Sequence, residues 1–385
     1  MSVALALTST LPWLLFPPIV MLRVVQSRSL SDQPLSLPEH PPLVSVVVPA
    51  RNEARNIGRC IASILATTYA RVEVILVDDH STDDTARIAR EAGRDDPRLV
   101  IVANPDLPNG WFGKQWACAN GAAIAKGQLL VFTDADTEHA PDLLTRAVNA
   151  MRADRADLLS VAGRQVTLSF WERIVQPQVF WMLLARFGGT ESITRARRAE
   201  DVIASGQFLM MARETYDAIG GHESVRDKVA EDLALGQRVF RDGGRVRLIR
   251  GEEQLATHMY ASLSELVQGW GKNVFAGGID AVPGGAVGRA LFPFLLPLMP
   301  LMALMPLVIL LLAWIRVLGG DWLLWSAICV AEDLLWWTLI YRGFQQRLWY
   351  ALLYPLGAAV VLFIILRAIG RGRRVGWKGR EYVAR

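Results

Sequence analysis

The sequence predicts an α/β domain with a mostly parallel sheet, carried between two apolar ends that form transmembrane helices. Between about residues 44 and 260, short β-branched runs alternate with segments of helical periodicity. Strands separated by helices form parallel sheets with right-handed crossovers. Both ends of the 385-residue chain, which is 52% hydrophobic, contain nearly uncharged stretches long enough to cross a bilayer.

Residues 1–25 are predicted to be an N-terminal transmembrane anchor. Their apolar run is followed by Arg23 and Arg28, so the positive-inside rule places the next domain in the cytoplasm. A cleaved signal peptide is the alternative, and it is disfavoured because the charge follows the apolar run. Residues 26–43 are rich in Ser and Pro and are predicted to be a linker.

Residues 44–260 are predicted to be the catalytic domain. Apolar runs predict strands at 44–48, 72–77, 99–102 and 129–132, and helical spacing predicts helices after residue 57, from near residue 82 and over 114–126. The aromatic stretch 169–188, interrupted by Pro177, has two interpretations that both stay open. It is either part of the core or a helix on the membrane surface beside an acceptor site.

The chain becomes apolar again after residue 260. Residues 261–290 are predicted to be interfacial, 291–370 transmembrane and 371–385 a basic cytoplasmic tail. Apolar segments lie at 291–318, 322–341 and 348–369. If all three crossed the membrane, the basic tail would lie outside the cell. One segment is therefore expected not to cross, either the proline-containing first or the one with Glu332 and Asp333.

Charge and cysteine content exclude several classes of protein. The net charge is +4, with the surplus concentrated after the last apolar segment. The predicted catalytic domain has no basic face with interleaved aromatic residues, so the sequence does not predict nucleic-acid binding. Cys60, Cys118 and Cys329 are isolated in sequence, which fits packing roles in a reducing compartment. We expect a multi-pass protein of the cell (inner) membrane with its catalytic domain in the cytoplasm, and we identify no protein partner.

Polar clusters follow three of the predicted strands, at residues 49–53, 78–85 and 133–136. Each alone is explained by helix capping or a turn. Together they predict a ligand site, because ligands bind at the carboxyl ends of strands in open α/β sheets. Of Asp134 and Asp136, one can bind a metal while the other bonds a ribose or a basic residue. Carboxylate oxygens suit Mg²⁺ or Mn²⁺, which also bind diphosphate oxygens.

The ordered motifs resemble those of family 2 glycosyltransferases, whose domain is a Rossmann-like GT-A fold that binds a nucleotide-sugar. They read Pro-Ala-Arg-Asn-Glu, Val-Asp-Asp-His-Ser-Thr-Asp-Asp-Thr, Asp-Ala-Asp and Glu-Asp at 231–232. The similarity extends over residues 44–278. Residues 110–117 are similar to the membrane-bound branch associated with hopanoid and carotenoid modification.

The resemblance implies a role for each motif residue. It implies that the donor is bound by Pro49, Arg51, Glu53, Asp78, Asp79, Lys114 and Asp134. It implies Asp136 as the ligand of Mg²⁺ or Mn²⁺ and Asp232 as the general base. Glu231, Trp270 and Lys272 are placed on the acceptor or diphosphate side. Inverting displacement is then expected, with a base on the acceptor side and stabilisation of the leaving diphosphate opposite.

The predicted activity is transfer from a nucleotide-sugar, with UDP implied by the resemblance, to a lipid or isoprenoid acceptor at the cytoplasmic membrane face. A polysaccharide synthase is disfavoured because residues 268–273 lack the arginine of the processive Gln-x-x-Arg-Trp motif. A sugar nucleotidyltransferase is disfavoured because no glycine-rich loop follows the first strand. A non-catalytic nucleotide-binding membrane protein is disfavoured because the acidic pair at 231–232 would have no function in it.

Overall fold

The computed structural model of the chain describes residues 8–24 and 27–383. The chain forms two compact units, each built from several segments. The first contains Met1–Gln26, Thr167–Gly189 and Tyr260–Gly372, and the second contains Ser27–Val166, Thr190–Met259 and Arg373–Arg385. This division differs from the predicted 44–260 domain in assigning Thr167–Gly189 to the apolar unit. The domain boundaries drawn from the sequence stay predictions.

Ten of the strands described in the second unit form its two larger sheets. They are β1 (Val44–Ala50), β2 (Val72–Asp78), β3 (Leu99–Ala103), β4 (Leu129–Phe132), β5 (Thr137–His139), β6 (Leu158–Ala162), β7 (Arg164–Gln165), β8 (Leu209–Ala212), β9 (Val246–Arg250) and β10 (Leu255–Thr257). Seven of them form one sheet in the order β3-β2-β1-β4-β8-β6-β9. The half from β3 to β4 is parallel, whereas β8 runs antiparallel to both β4 and β6. A smaller sheet has the order β5-β10-β7.

Helices and short helical turns of this unit connect the strands. The helices are Ile57–Leu65, Thr85–Gly93, Gly113–Ile124, Leu143–Ala153, Thr190–Thr194, Arg213–Ala218 and Glu231–Arg241, and the 3₁₀ turns are Leu30–Asp32, Ala199–Asp201 and Gly221–Val225. The predicted strands and helices are all present, with ends shifted by a few residues. The predicted α/β, mostly parallel fold is therefore confirmed.

The core of the sheet follows from its sequence. Residues 44–48 are fully buried because β1 lies in the middle of the sheet, where both faces are covered. In the helix Ile57–Leu65, the buried positions Ile57, Cys60, Ile61 and Ile64 lie on one face and pack on that core. All three cysteines are buried and unpaired, as their isolation in sequence predicts.

The first unit is mostly helical. Its helices are Leu11–Val24, Phe170–Phe187, Leu263–Lys272, Gly285–Leu295, Leu298–Trp314, Trp322–Gly343 and Tyr354–Arg371, with turns at Asn273–Gly277, Gly278–Ala281 and Leu348–Leu353. Three segments, Gly285–Trp314, Trp322–Gly343 and Leu348–Arg371, are long and apolar enough to cross a membrane. Leu11–Val24 is a shorter apolar helix, and part of the predicted anchor at 1–25 lies outside the described residues.

The helix Phe170–Phe187 packs with the apolar helices of its own unit. Its start is fixed by a capping box, in which Ser169 accepts from Glu172 N and Glu172 accepts from Ser169 N. Gln178 donates to the carbonyl of Tyr354, and the Tyr341 hydroxyl donates to the carbonyl of Ile174. These bonds explain why the stretch groups with the apolar unit.

The last described residues form a two-stranded hairpin within the second unit, β11 (Arg374–Trp377) and β12 (Arg380–Val383). Lys378 and Gly379 make the turn, with φ values of 45° and 82°. Two positive φ values in a two-residue loop are the pattern of a type I′ turn, which matches the twist of antiparallel strands. The sequence analysis predicted only a basic tail here, although a Gly in a two-residue turn is a hairpin signal.

Candidate active site

The site lies at the carboxyl ends of β1, β2 and β4, as the motif positions predict. Two residues in left-handed backbone conformation, Asn52 (φ 52°) and His80 (φ 56°), turn the chain directly after β1 and β2. The two loops are tied together, because Asn52 N donates to Ser81 Oγ and Thr82 N donates to Asn52 Oδ1. This cross-bonding holds the first two motifs beside each other at the sheet edge.

Lys114 is at the centre of the acidic cluster. Its Nζ lies 2.6 Å from Asp134 Oδ1 and 2.5 Å from Glu231 Oε1. Burial alone would lower the pKa of Lys114, but the carboxylates of Asp134, Glu231 and Asp232 raise it well above its ordinary value. The side chain is therefore a permanent cation that joins the Asp-Ala-Asp motif to the acidic pair at 231–232.

Gly206 allows the close approach of these groups. A Cβ added there would lie 3.1 Å from Lys114 Nζ and 3.2 Å from Asp232 Oδ2. Its backbone N–H donates to Asp232 Oδ2 at 2.6 Å, and Leu233 N donates to Asp232 Oδ1 at 2.8 Å. A side chain at position 206 would therefore crowd both the cation and the carboxylate.

Asp232 is held as a carboxylate of raised basicity at the start of the helix Glu231–Arg241. Burial, the largest cause, and the neighbouring Glu231 together raise its pKa to about 6, although Lys114 and the two backbone N–H groups act in the opposite direction. A carboxylate with a pKa near 6 is mostly ionised at neutral pH and is a better proton acceptor than an ordinary Asp. The group has the properties of a general base.

Asp136 presents an oxygen suited to a cation. Its Oδ1 is buried and, within the described part of the chain, accepts no hydrogen bond. Burial raises the pKa of Asp136 to about 8, and the charges of Asp134 and Glu53 contribute further. A buried, unsatisfied carboxylate among other carboxylates is a fit for a divalent cation. Among the described residues, no cluster of three His, Cys, Asp or Glu could by itself hold a metal.

A buried polar layer that the sequence analysis did not identify supports the Asp-Ala-Asp loop. Thr137 Oγ1 donates to the carbonyl of Asp134 at 2.7 Å, and Thr133 Oγ1 donates to the carbonyl of Gln207 at 2.6 Å. The His139 ring lies within hydrogen-bond distance of both hydroxyls. Burial lowers the pKa of His139 to about 3, so the ring is neutral. The position of Thr133 directly after β4 was the available signal.

His222 lines the same pocket as Pro49, Lys114 and Asp232. Its Nδ1 lies 3.0 Å from the Tyr216 hydroxyl, and burial lowers its pKa to about 3. The His222 ring is therefore neutral and pairs with the Tyr216 hydroxyl.

Three of the residues predicted to bind the donor contact the C-terminal hairpin. Asp79, with 1% of its side chain exposed, pairs with Arg380 at 2.6 Å, and Glu53 pairs with Lys378 at 2.8 Å. Arg51 donates to the carbonyls of Asp79 and Lys378. Asp78 Oδ1 accepts from Ser81 N, within the loop that follows β2.

Trp270 and Lys272 belong to the first unit, whereas the Lys114 cluster belongs to the second. Trp270 is buried, and its ring lies edge-on to Phe180 and Tyr260. Lys272 ends the helix Leu263–Lys272. Their placement on the acceptor or diphosphate side stays a prediction.

Comparisons with known proteins agree with this geometry. Residues 45–220 match the model of glycosyl transferase family 2. The chain is 28% identical over 245 residues to a 4,4'-diaponeurosporenoate glycosyltransferase of Staphylococcus haemolyticus, covering 62% of this chain and 63% of that protein. It is 30% identical over 237 residues to the protein of the same name from Staphylococcus aureus, covering 61% of each. The chain thus spans less than two thirds of the length of these relatives.

One solved structure resembles nearly the whole chain. It is the mannosyltransferase PcManGT from Pyrobaculum calidifontis in complex with GDP-Man and Mn²⁺. The TM-score is 0.57 at 19% identity, covering 96% of this chain and 97% of that one. At this identity the likeness supports the fold, and the expected GT-A fold is confirmed.

Proposed function

We propose that the protein, whose residues 45–220 match the model of glycosyl transferase family 2, transfers a sugar from a nucleotide-sugar donor to a lipid or isoprenoid acceptor. The observation that carries this proposal is the state of Asp232. Its two oxygens accept backbone N–H groups, and its pKa is about 6 beside the Lys114 pair. A general base thus lies next to the residues assigned to the donor.

The proposed step is an inverting displacement. Asp232 takes the proton of the acceptor hydroxyl, and that oxygen forms a bond with the anomeric carbon of the donor. The bond from the same carbon to the diphosphate oxygen breaks, and the nucleoside diphosphate leaves with the electron pair. Lys114 orients Asp134 toward the donor and neutralises Glu231, so that the carboxylates do not repel the anionic donor.

A divalent cation, Mg²⁺ or Mn²⁺, is proposed at Asp136. The supporting observation is the buried Oδ1 that accepts no hydrogen bond within the described chain. Such a cation, when bound, offsets the negative charge of the departing diphosphate. The mannosyltransferase of the same fold was solved with Mn²⁺, in line with this assignment.

The acceptor is proposed to be lipid-like and to be presented at the cytoplasmic face of the membrane. Three apolar segments long enough to span a bilayer support a membrane location. The relatives from Staphylococcus are named for 4,4'-diaponeurosporenoate, and the sequence similarity to the carotenoid-associated branch points the same way. Absence of the processive arginine in residues 268–273 favours transfer of single sugars over polymer synthesis.

The assay that tests this proposal supplies a panel of UDP- and GDP-sugars, Mg²⁺ and extracted membrane lipids to the detergent-purified protein. We expect release of nucleoside diphosphate with formation of a glycolipid of inverted anomeric configuration, read by NMR. Transfer with retained configuration would overturn the assignment of Asp232. Synthesis of a nucleotide-sugar from a sugar phosphate and a nucleoside triphosphate would instead identify a nucleotidyltransferase.

A further inference from the structure

We propose that the C-terminal hairpin of β11 and β12 is a wall of the donor site, and that Arg380 and Lys378 are donor-binding residues. This inference rests on the proposed function and extends it to residues that the sequence analysis placed in a basic tail. The ligand it concerns is the nucleoside diphosphate part of the donor.

The first observation is that the hairpin contacts the same residues that the motifs assign to the donor. Arg380 Nη1 lies 2.6 Å from Asp79 Oδ2, and Lys378 Nζ lies 2.8 Å from Glu53 Oε1. Arg51 Nε donates to the carbonyl of Lys378 at 3.1 Å. A purely solvated tail would not pair two of its cations with carboxylates that the motifs assign to the donor.

The second observation is the charge of this sheet edge. Its carboxylates outnumber its cations when the hairpin is left out. The carboxylates are Glu53, Asp78, Asp79, Asp134 and Asp136, and the cations are Arg51 and Lys114. A nucleoside diphosphate is itself an anion, so it is repelled by such an edge. Lys378 and Arg380 raise the number of these cations from two to four, and arginine suits phosphate oxygens in particular.

The third observation is that the hairpin is fixed in place by more than ion pairs. The Tyr382 ring lies 4.4 Å from the Phe112 ring, and its hydroxyl accepts from Gly113 N at 3.2 Å. Gly113 begins the helix that carries Lys114. The type I′ turn at Lys378 and Gly379 places Lys378 beside Glu53 and Arg380 beside Asp79. The hairpin therefore contacts both the loops after β1 and β2 and the helix Gly113–Ile124, which carries Lys114.

These contacts also redefine the role of Asp79. Its Oδ1 accepts from Asn104 Nδ2, its Oδ2 pairs with Arg380, and almost none of its side chain is exposed. Asp79 thus acts as a positioning residue for Arg380. The opposite arrangement, in which the donor displaces the hairpin, would leave Asp79 and Glu53 as unpaired carboxylates facing an anionic ligand, which is electrostatically unfavourable.

The first test uses the wild-type, full-length protein in detergent and follows amide hydrogen exchange of residues 374–383. The probes are UDP and GDP, each at saturating concentration with Mg²⁺. A wall of the donor site exchanges more slowly when nucleotide is bound. Unchanged exchange at saturation would show that the hairpin does not contact the nucleotide, and faster exchange would show that the nucleotide displaces the hairpin. Either result would overturn the inference.

The second test compares nucleotide affinity by calorimetry in Arg380→Ala and Arg373→Ala. Arg373 is an exposed cation directly before the hairpin, so the control removes the same charge from the same tail. We expect a 10- to 100-fold rise in the Kd for the nucleotide in Arg380→Ala, the range for losing one charged hydrogen bond, with partial rescue in Arg380→Lys. The Kd of Arg373→Ala should stay within about twofold.

The outcomes separate this inference from the proposed function. Nucleotide binding that is equal in wild type and Arg380→Ala overturns the hairpin assignment and leaves the donor site standing. Failure of the wild type to bind either nucleotide overturns the donor site, and the hairpin assignment with it. If Arg380→Ala does not fold, the exchange measurement on the wild type decides alone.

Discussion

The ammonium group of Lys114 lies 2.6 Å from Oδ1 of Asp134. This ion pair joins the second residue of the helix Gly113–Ile124 to the loop after β4, and Glu231 accepts the same ammonium group on the other side. The cation thus connects the donor half of the site to the helix that carries Asp232. Most of the predictions below depend on this arrangement.

Substitution of Lys114 should destabilise the fold as well as the donor site. In Lys114→Met, Asp134 and Glu231 lose their shared cation, and we expect a loss of about 3 kcal/mol in the free energy of unfolding, the lower end for breaking a buried pair. About a quarter of the Lys114 side chain is exposed, which moderates the cost. Denaturant unfolding measures the loss, and Lys114→Met/Glu231→Gln should recover part of it. Lys126→Met, at an exposed lysine, is the control, and an equal effect in both variants would contradict the account.

Replacement of Asp232 by Asn should separate catalysis from donor binding. The amide keeps the shape and one of the two acceptor oxygens but removes the basicity, so kcat should fall by roughly two to four orders of magnitude. The nucleotide Kd should change less than about threefold. Asp217→Asn, at an exposed aspartate, should behave as wild type. A donor Kd that rises as much as kcat falls would move Asp232 to the donor site.

The pH dependence of the reaction should report the same residue. The pKa of Asp232 is raised to about 6, and the base acts only when deprotonated. The kcat/KM should therefore be independent of pH above about 7 and fall tenfold per pH unit well below pH 6. The measurement is made at saturating Mg²⁺, so that the charge of Asp136 does not change with pH. The residual rate of Asp232→Asn should lack this acidic limb.

Much of the fold was predictable from sequence because the relevant signals are local. The valine-rich run at 44–48 predicts a buried strand, and the apolar spacing after Ile57 predicts a helix with one buried face. The carboxyl ends of parallel strands then bring the motifs at Glu53, Asp78 and Asp134 to one edge. Fold class and the approximate site follow from these patterns.

The contacts that complete the site were not predictable in the same way. Arg380 and Asp79 are separated by 301 positions in sequence, so their pairing depends on the tertiary fold and leaves no periodic signal. The same holds for the layer of Thr133, Thr137 and His139 beneath Asp134, whose members are ordinary residues in sequence. The Lys-Gly turn of the hairpin could be predicted from sequence, but the packing of the hairpin on the loops after β1 and β2 could not.

Removal of the Asp136 carboxylate should abolish the dependence on metal. In Asp136→Ala, we expect that Mg²⁺ or Mn²⁺ no longer strengthens nucleotide binding, because the buried oxygen offered to the cation is gone. Transfer should fall below detection. Calorimetry of UDP and GDP with metal and with EDTA measures the effect, with Asp217→Ala as control. Metal-stimulated binding that persists in Asp136→Ala would place the cation elsewhere.

Glycosylation of a lipid with Asp232 as base can be measured by giving the purified, full-length protein a radiolabelled nucleotide-sugar, Mg²⁺ and extracted membrane lipids, and counting label in the organic phase. The account predicts organic-phase product with wild type and at least a hundredfold less with Asp232→Asn. Equally efficient transfer to water-soluble acceptors, or unchanged lipid labelling by Asp232→Asn, would contradict it.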